Sequence, residues 1–148
     1  MKQSKVLGTA EVRSEGVHKA VVNSIEDVVS SLSNAFEQIE RLIGVPIEHV
    51  WVGVGGTHII SQESKGVVAV ARSDGEISDE DVERAVEAAQ TVAAPLNYEL
   101  LHVLPRSFTV DGQIGIKDPV GMTGIRIEVD TKIIYGVSAH IQNISKAV

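Results

Sequence analysis

The residues able to do chemistry are few, and their spacing keeps them apart. Five histidines fall at His18, His49, His58, His102 and His140, with no His-x-His or His-x-x-x-His pair, whereas a metal site needs convergent ligands. No metal ligand set is therefore expected. Cysteine is absent, which removes disulfides and thiolate sites and fits a reducing compartment. The run Gly53-Val54-Gly55-Gly56-Thr57 has the glycines that let backbone N–H groups approach a phosphate. No Lys-Ser or Lys-Thr pair follows it, His58 stands where a dinucleotide motif needs its last glycine, and a strand follows where a helix is needed. It reads as a structural turn. Ser61 and Ser107 have histidines near them in sequence, but neither sits in a Gly-x-Ser-x-Gly elbow. The acidic group Asp79, Glu80, Asp81, Glu83 and Glu87 is accounted for by helix capping and a solvated helix face. No catalytic residue is expected.

The most unusual stretch runs over residues 111–124 and holds Asp111, Gln113, Lys117, Asp118, Pro119 and Met122 among glycines and aliphatic residues. Loops of this length within a compact domain are packed or functional. Both readings stand: a packed Ω-like loop, or a contact surface carrying those six residues.

Bulk composition bounds the partners. The chain has 148 residues, 43% of them hydrophobic and 22% charged, which suits a soluble globular protein. Its net charge of -7 lacks the basic field that nucleic acid or anionic lipid would need. The N-terminal residues read as neither a signal peptide nor a membrane anchor, and the cytosol is the expected default location.

The elements that must position these groups follow from periodicity. A strand is expected over residues 6–12 and a turn at 14–16. Ile25, Val28, Val29, Leu32, Ala35, Phe36, Ile39, Leu42 and Ile43 share one helical face. Ser24 caps that helix, Gly44 ends it and Pro46 prevents its resumption. Residues 49–54, around Trp51, form an apolar run expected as a strand buried on both faces. Two strands are expected at 58–61 and 66–71, parted by the polar residues 62–65. A second helix is capped by Ser78, runs to Pro95, and carries a narrow stripe of Val82, Ala85, Val86, Ala89, Val92 and Ala93 that fits close packing on a sheet. Strands at 98–104 and 107–110 are divided by Pro105, and Asp111-Gly112 is a turn signal. Residues 113–124 read as a long loop. Residues 125–130 alternate apolar and charged side chains as a half-wet strand does, and 132–137 prolong it. A third helix starts at Ser138 and stops after a few turns, with an apolar stripe that reads as cut.

Three blocks resemble the bacterial FtsA family of actin-like cell-division proteins. Gly53-Val54-Gly55-Gly56-Thr57-His58-Ile59 is similar to the family's glycine-glycine-x-histidine-isoleucine block. The run from Gly75-Glu76-Ile77-Ser78 to Ala85 resembles the opening of its insert-domain helix. Leu101-His102-Val103-Leu104-Pro105-Arg106, Asp111-Gly112-Gln113, and the run from Ile116-Lys117-Asp118-Pro119 through Arg126-Ile127-Glu128-Val129 resemble its most recognisable segment. Ala20 departs from the glycine common in the family.

The resemblance implies an α+β fold in three parts. Residues 1–60 would be a partial actin-like core subdomain of strand, helix and strand. Residues 61–137 would be the family's insert subdomain, 1C, a strand-helix-strand-strand unit. Residues 138–148 would begin a truncated core helix. It further implies a cell-division scaffold component that works by protein contacts: self-association with other FtsA-like subunits, and recruitment of division proteins through their cytoplasmic tails at the FtsZ ring. The alternatives are a piece of an actin-like ATPase and an FtsA-like platform for pilus assembly. The family's phosphate and adenosine loops have no match here, so ATP with magnesium is expected only for a full-length member, and the chain alone is not expected to be an enzyme. FtsZ would be met only through parts outside this chain, nucleic acid would not be bound, and the location would be the cytoplasmic face of the inner membrane in a full-length context. The exposed stripes of the first and last helices imply marginal stability in isolation.

Overall fold

The computed structural model describes residues 5–148. The hydroxyl of Ser24 accepts a hydrogen bond from the Asp27 N–H at 3.3 Å and opens helix α1, Ile25–Ile43. Gly44 closes it in the left-handed region at φ 74°, its N–H donating to the Glu40 carbonyl at 2.8 Å. Ahead of the helix, strands β1 (Val17–His18) and β2 (Val21–Val22) pair antiparallel around a tight turn at Lys19 (φ 47°) and Ala20 (φ 64°). These elements, the described residues up to His58 and helix α3 (Ser138–Ala147) form one compact unit, in which α3 packs on α1.

Two sequence expectations fail in this unit. Residues 6–12 and 49–54 are not strands, and Trp51 is fully exposed where burial on both faces was expected. A strand persists through a hydrogen-bonded neighbour, and no described residue offers either run a ladder. Val12, Val28, Leu32, Phe36, Val52 and Ile144 instead help line an open apolar trough of about 620 Å³.

The second unit, Ile59–Val137, builds an antiparallel sheet ordered β3-β6-β4-β5 under one helix. Here β3 is Ile59–Ala69, β4 Tyr98–Val110, β5 Gln113–Ile116 and β6 Arg126–Val137. β3 is one continuous strand, because its polar middle finds partners. Lys65 faces Asp130 across the ladder with Nζ 3.4 Å from the carboxylate, and the Thr131 hydroxyl donates to the Ser64 carbonyl at 3.0 Å. β4 also runs unbroken through Pro105. Bulges at 100–102 and 105–107 absorb the irregularity, and β5 pairs only with residues 108–110, so at Pro105 β4 is itself an edge.

β6 is the spine. Ile127, Val129, Thr131, Ile133 and Tyr135 are buried on the face that takes the helix, and Glu128, Asp130 and Lys132 alternate onto the other. Helix α2, Asp79–Ala89, rests on β3 and β6 through Ala85 and Ala89, both fully buried. Ile77, Phe108, Val110, Ile127 and Val129 complete the core, each large aliphatic contributing about 1.5–3 kcal/mol on full burial. The helix ends before Pro95, so Val92 and Ala93 lie outside it. The Gln90 N–H turns back to the Glu87 carbonyl at 2.9 Å, and the Thr91 hydroxyl donates to the Ala88 carbonyl at 2.8 Å, closing the last turn early. With two antiparallel sheets and helices on them, the chain is α+β as expected; β5 is a strand that the expected strand-helix-strand-strand unit lacked.

Candidate protein-contact site

The stretch expected as a loop from residue 113 to 124 is in fact a hairpin arm followed by a tethered loop. Asp111 (φ 45°) and Gly112 (φ 89°) both occupy the left-handed region, the geometry of a two-residue type I′ turn, and Gln113 then pairs with Val110 and Ile116 with Phe108. An Asp-Gly pair flanked by aliphatic residues dictates such a hairpin, because its twist matches that of the strands.

Asp111 also clamps the turn to the sheet. Its carboxylate accepts from the N–H groups of Ile125 at 3.0 Å and Arg126 at 2.9 Å, and its own N–H donates to the Arg126 carbonyl at 3.1 Å. Asp118 Oδ1 accepts from the Val120 N–H at 3.1 Å, an Asx turn that seats Pro119 in the interior. Met122 is half-buried against the core, and backbone bonds from Ile77 N–H to Met122 O (2.9 Å), Gly121 N–H to Ile77 O (2.9 Å) and Gly124 N–H to Gly75 O (2.9 Å) tie the segment to the chain just before α2.

The six residues singled out from the sequence thus divide. Asp111, Asp118 and Pro119 serve the loop's own architecture, Met122 serves the core, and Gln113 and Lys117 stand at the surface. Beside them Ile114 is 81% exposed and Ile125 79%, with Val120 exposed as well. Sequence reasoning missed Ile114 and Ile125 as surface groups. The Asp-Gly turn was the available signal for Ile114, since it makes residues 113–116 an edge strand with one unshielded face. What the arrangement offers a partner is the open edge of β5 with the bare Ile114 and with Lys117 close along the chain, which suits an extended peptide or another protein surface.

The acidic group has one member of a different kind. Asp81 is fully buried and forms a capping box with Ser78: its carboxylate accepts from the Ser78 N–H at 3.0 Å and hydroxyl at 2.8 Å, and Ser78 Oγ accepts from the Asp81 N–H. It also accepts from the Ala71 N–H at 3.0 Å and pairs with Arg84. The Ser78 N–H, followed by the Ala71 N–H, the Ser78 hydroxyl and Arg84, holds this carboxyl well below the usual carboxylate range, against the burial that would raise it. It is a structural group that locks α2 to the end of β3. Among the described residues no three His, Asp or Glu side chains converge as a metal site.

The model of the SHS2 domain inserted in FtsA matches residues 56–135, more than half of the chain. The chain belongs to the FtsA family. Cell division protein FtsA of Bacillus subtilis (strain 168) is 40% identical over 143 residues, covering 97% of this chain and 32% of that protein. FtsA of Borreliella burgdorferi is 40% identical over 146 residues, covering 99% and 35%, and that of Escherichia coli K12 is 34% identical over 143 residues, covering 97% and 34%. The chain spans about a third of the length of these FtsA relatives. The FtsA insert match contains all of β4, β5 and the tethered loop, together with the Asp111 clamp.

Proposed function

We propose that this chain serves cell division as a scaffold component, acting through protein contacts made by the unit Ile59–Val137. The observation that supports the reading is the exposed edge strand β5, which carries Ile114 and is followed by Lys117. Its partners are other FtsA-like subunits and the cytoplasmic tails of division proteins, at the cytoplasmic face of the inner membrane. FtsZ is engaged only through parts of full-length members outside this chain. ATP and magnesium belong to those members too, and the chain alone is not an enzyme. The match to FtsA proteins supports division over the pilus-platform alternative.

A pull-down of FtsA and of division-protein tails with the chain, repeated with Ile114→Glu, tests this. Capture by the parent and its loss in the variant is the expected result. No capture by the parent, or equal capture by both, overturns it. Titration with Mg-ATP addresses the rival ATPase reading, for which submillimolar binding would be required.

A further inference from the structure

Strand β3 is the other edge of the sheet, 11 residues long against the 4 of β5, and it pairs only with β6. The Val70 N–H donates to the Ile125 carbonyl at 2.8 Å. By the two-residue repeat of an antiparallel ladder, the even-numbered residues of β3 therefore turn their backbone groups to β6 and the odd-numbered ones turn theirs outward. At one end helix α2 covers those outward groups: Arg84 donates to the Ala69 carbonyl at 3.0 Å, and the Ala71 N–H donates to Asp81 at 3.0 Å. From Ser61 to Val67 the outward backbone groups have no strand partner among the described residues, and Ser61, Glu63, Lys65 and Val67 are exposed. An open strand edge is a template for another strand.

We propose that this edge takes a second copy of the chain, β3 against β3, antiparallel about a two-fold axis at Ser64. Such pairing needs a patch that is complementary to itself, and the side chains supply one. With the axis at Ser64, Glu63 stands opposite the second copy's Lys65, and Lys65 opposite its Glu63. These odd-numbered residues form hydrogen-bonded pairs, and Ser61 with Val67 makes two more, about eight ladder bonds in all. Moving the axis one residue either way sets Glu63 against Glu63 or Lys65 against Lys65, which like-charge repulsion rejects. Charged residues that keep an edge from pairing at random here select one register. Within each copy Asp130 already stands beside Lys65 and Lys132 beside Glu63, so the joint completes a row of Asp130, Lys65, Glu63 and Lys132 across four strands with alternating signs. Helix α2 leaves the joint clear. Its contacts run along β3 from Ala71 and Ala69 to Gly66 and end at Ser64, whose hydroxyl donates to the Ala89 carbonyl at 2.7 Å. Residues 64–69 of one copy face 59–64 of the other, so the two helices lie over opposite halves of the strand pair. The inference rests on the self-association proposed above and gives it a second surface, at the edge opposite β5.

The test is sedimentation of the full chain over a range of concentrations, with residue-resolved amide exchange at both ends of that range. The expected result is a monomer-dimer equilibrium in which the amides of Ser61, Glu63, Lys65 and Val67 gain protection as the dimer forms, while those of Gln62 and Ser64 are protected throughout. Glu63→Lys and Lys65→Glu should each weaken association about tenfold or more, because two opposite-charge pairs become like-charge pairs. Mixed in equal amounts, the two variants should associate as the parent does, since every lysine then meets a glutamate. A chain that stays monomeric overturns the proposal, as do dimers indifferent to both reversals or variants that mixing does not rescue. Association through the apolar trough would leave the four β3 amides unprotected and would equally overturn it. The exchange is read on the unaltered chain, so the decision does not hang on a variant that fails to fold. The Ile114→Glu pull-down reads β5 alone, and the two readings can therefore fail separately.

Discussion

Gly66 lies directly beneath Ala85: a methyl group added to Gly66 would overlap the Ala85 carbonyl oxygen and stand 2.7 Å from the Ala89 N–H nitrogen. The strand and helix approach so closely only because one carries hydrogen and the other methyl groups at the contact. Gly66→Ala should therefore push α2 off β3 and cost about 1–3 kcal/mol, as overpacking does. A urea midpoint unchanged from the parent would contradict this packing.

Asp81 links stability to acid. Its folded pKa lies below the ordinary value of 3.8, so its stabilisation is fully present above that value and is lost as pH falls through and below it. Asp81→Asn should lower stability at neutral pH by about 1–3 kcal/mol, the cost of a weakened buried acceptor. It should also flatten the acid limb of the stability curve. Thermal melts of both proteins from neutral to acid pH check this, and parallel curves would be the wrong outcome.

The Asp111 clamp can be separated from its turn. Asp111→Gly tolerates the left-handed backbone and removes the side chain with its carboxylate, so the amides of Ile125 and Arg126 lose their acceptor. Hydrogen exchange at those amides should accelerate while that of Val129, within β6, holds. Unchanged protection at Ile125 and Arg126 would mean that the clamp does not hold the loop.

Ala20 carries a left-handed backbone at φ 64° without being glycine. That conformation costs a residue with a Cβ about 1–2 kcal/mol, against about 0.5–1 kcal/mol for the extra chain entropy of glycine. Ala20→Gly should thus stabilise the chain by roughly 0.5–1 kcal/mol in chemical denaturation, and a loss of stability would refute the assignment of strain there.

Ile114→Glu and Lys117→Glu alter exposed side chains, so each should change stability by no more than about 0.5 kcal/mol. Both should nonetheless reduce capture of FtsA or division-protein tails. Intact capture by both variants, with folding preserved, would move the contact surface elsewhere.

Local rules read well wherever the deciding contacts lie within one element. Ser24, Gly44 and Ser78 act as the caps their types suggest, and the alanine stripe of α2 does lie close to a sheet. Legibility failed where the answer lay in a distant partner. Residues 62–65 looked too polar for a strand, yet Lys65 and Ser64 are matched across the ladder by Asp130 and Thr131. Residues 49–54 looked like a buried strand, but apolar character cannot supply a ladder that no described residue provides. At the candidate site, the chemistry of Asp111 was visible and its use was not. Its carboxylate is spent on amides 14 and 15 residues away, while the bare surface belongs to Ile114 and Ile125.

Trp51 is the chain's single tryptophan, and it stands fully exposed among the residues that line the apolar trough. Its indole is consequently an intrinsic optical probe of that one segment. In the free chain it should emit at long wavelength and be readily quenched by acrylamide. Whatever comes to rest over residues 49–54 will shift the emission to the blue and shield it, so occupation of this face can be followed by fluorescence without any label.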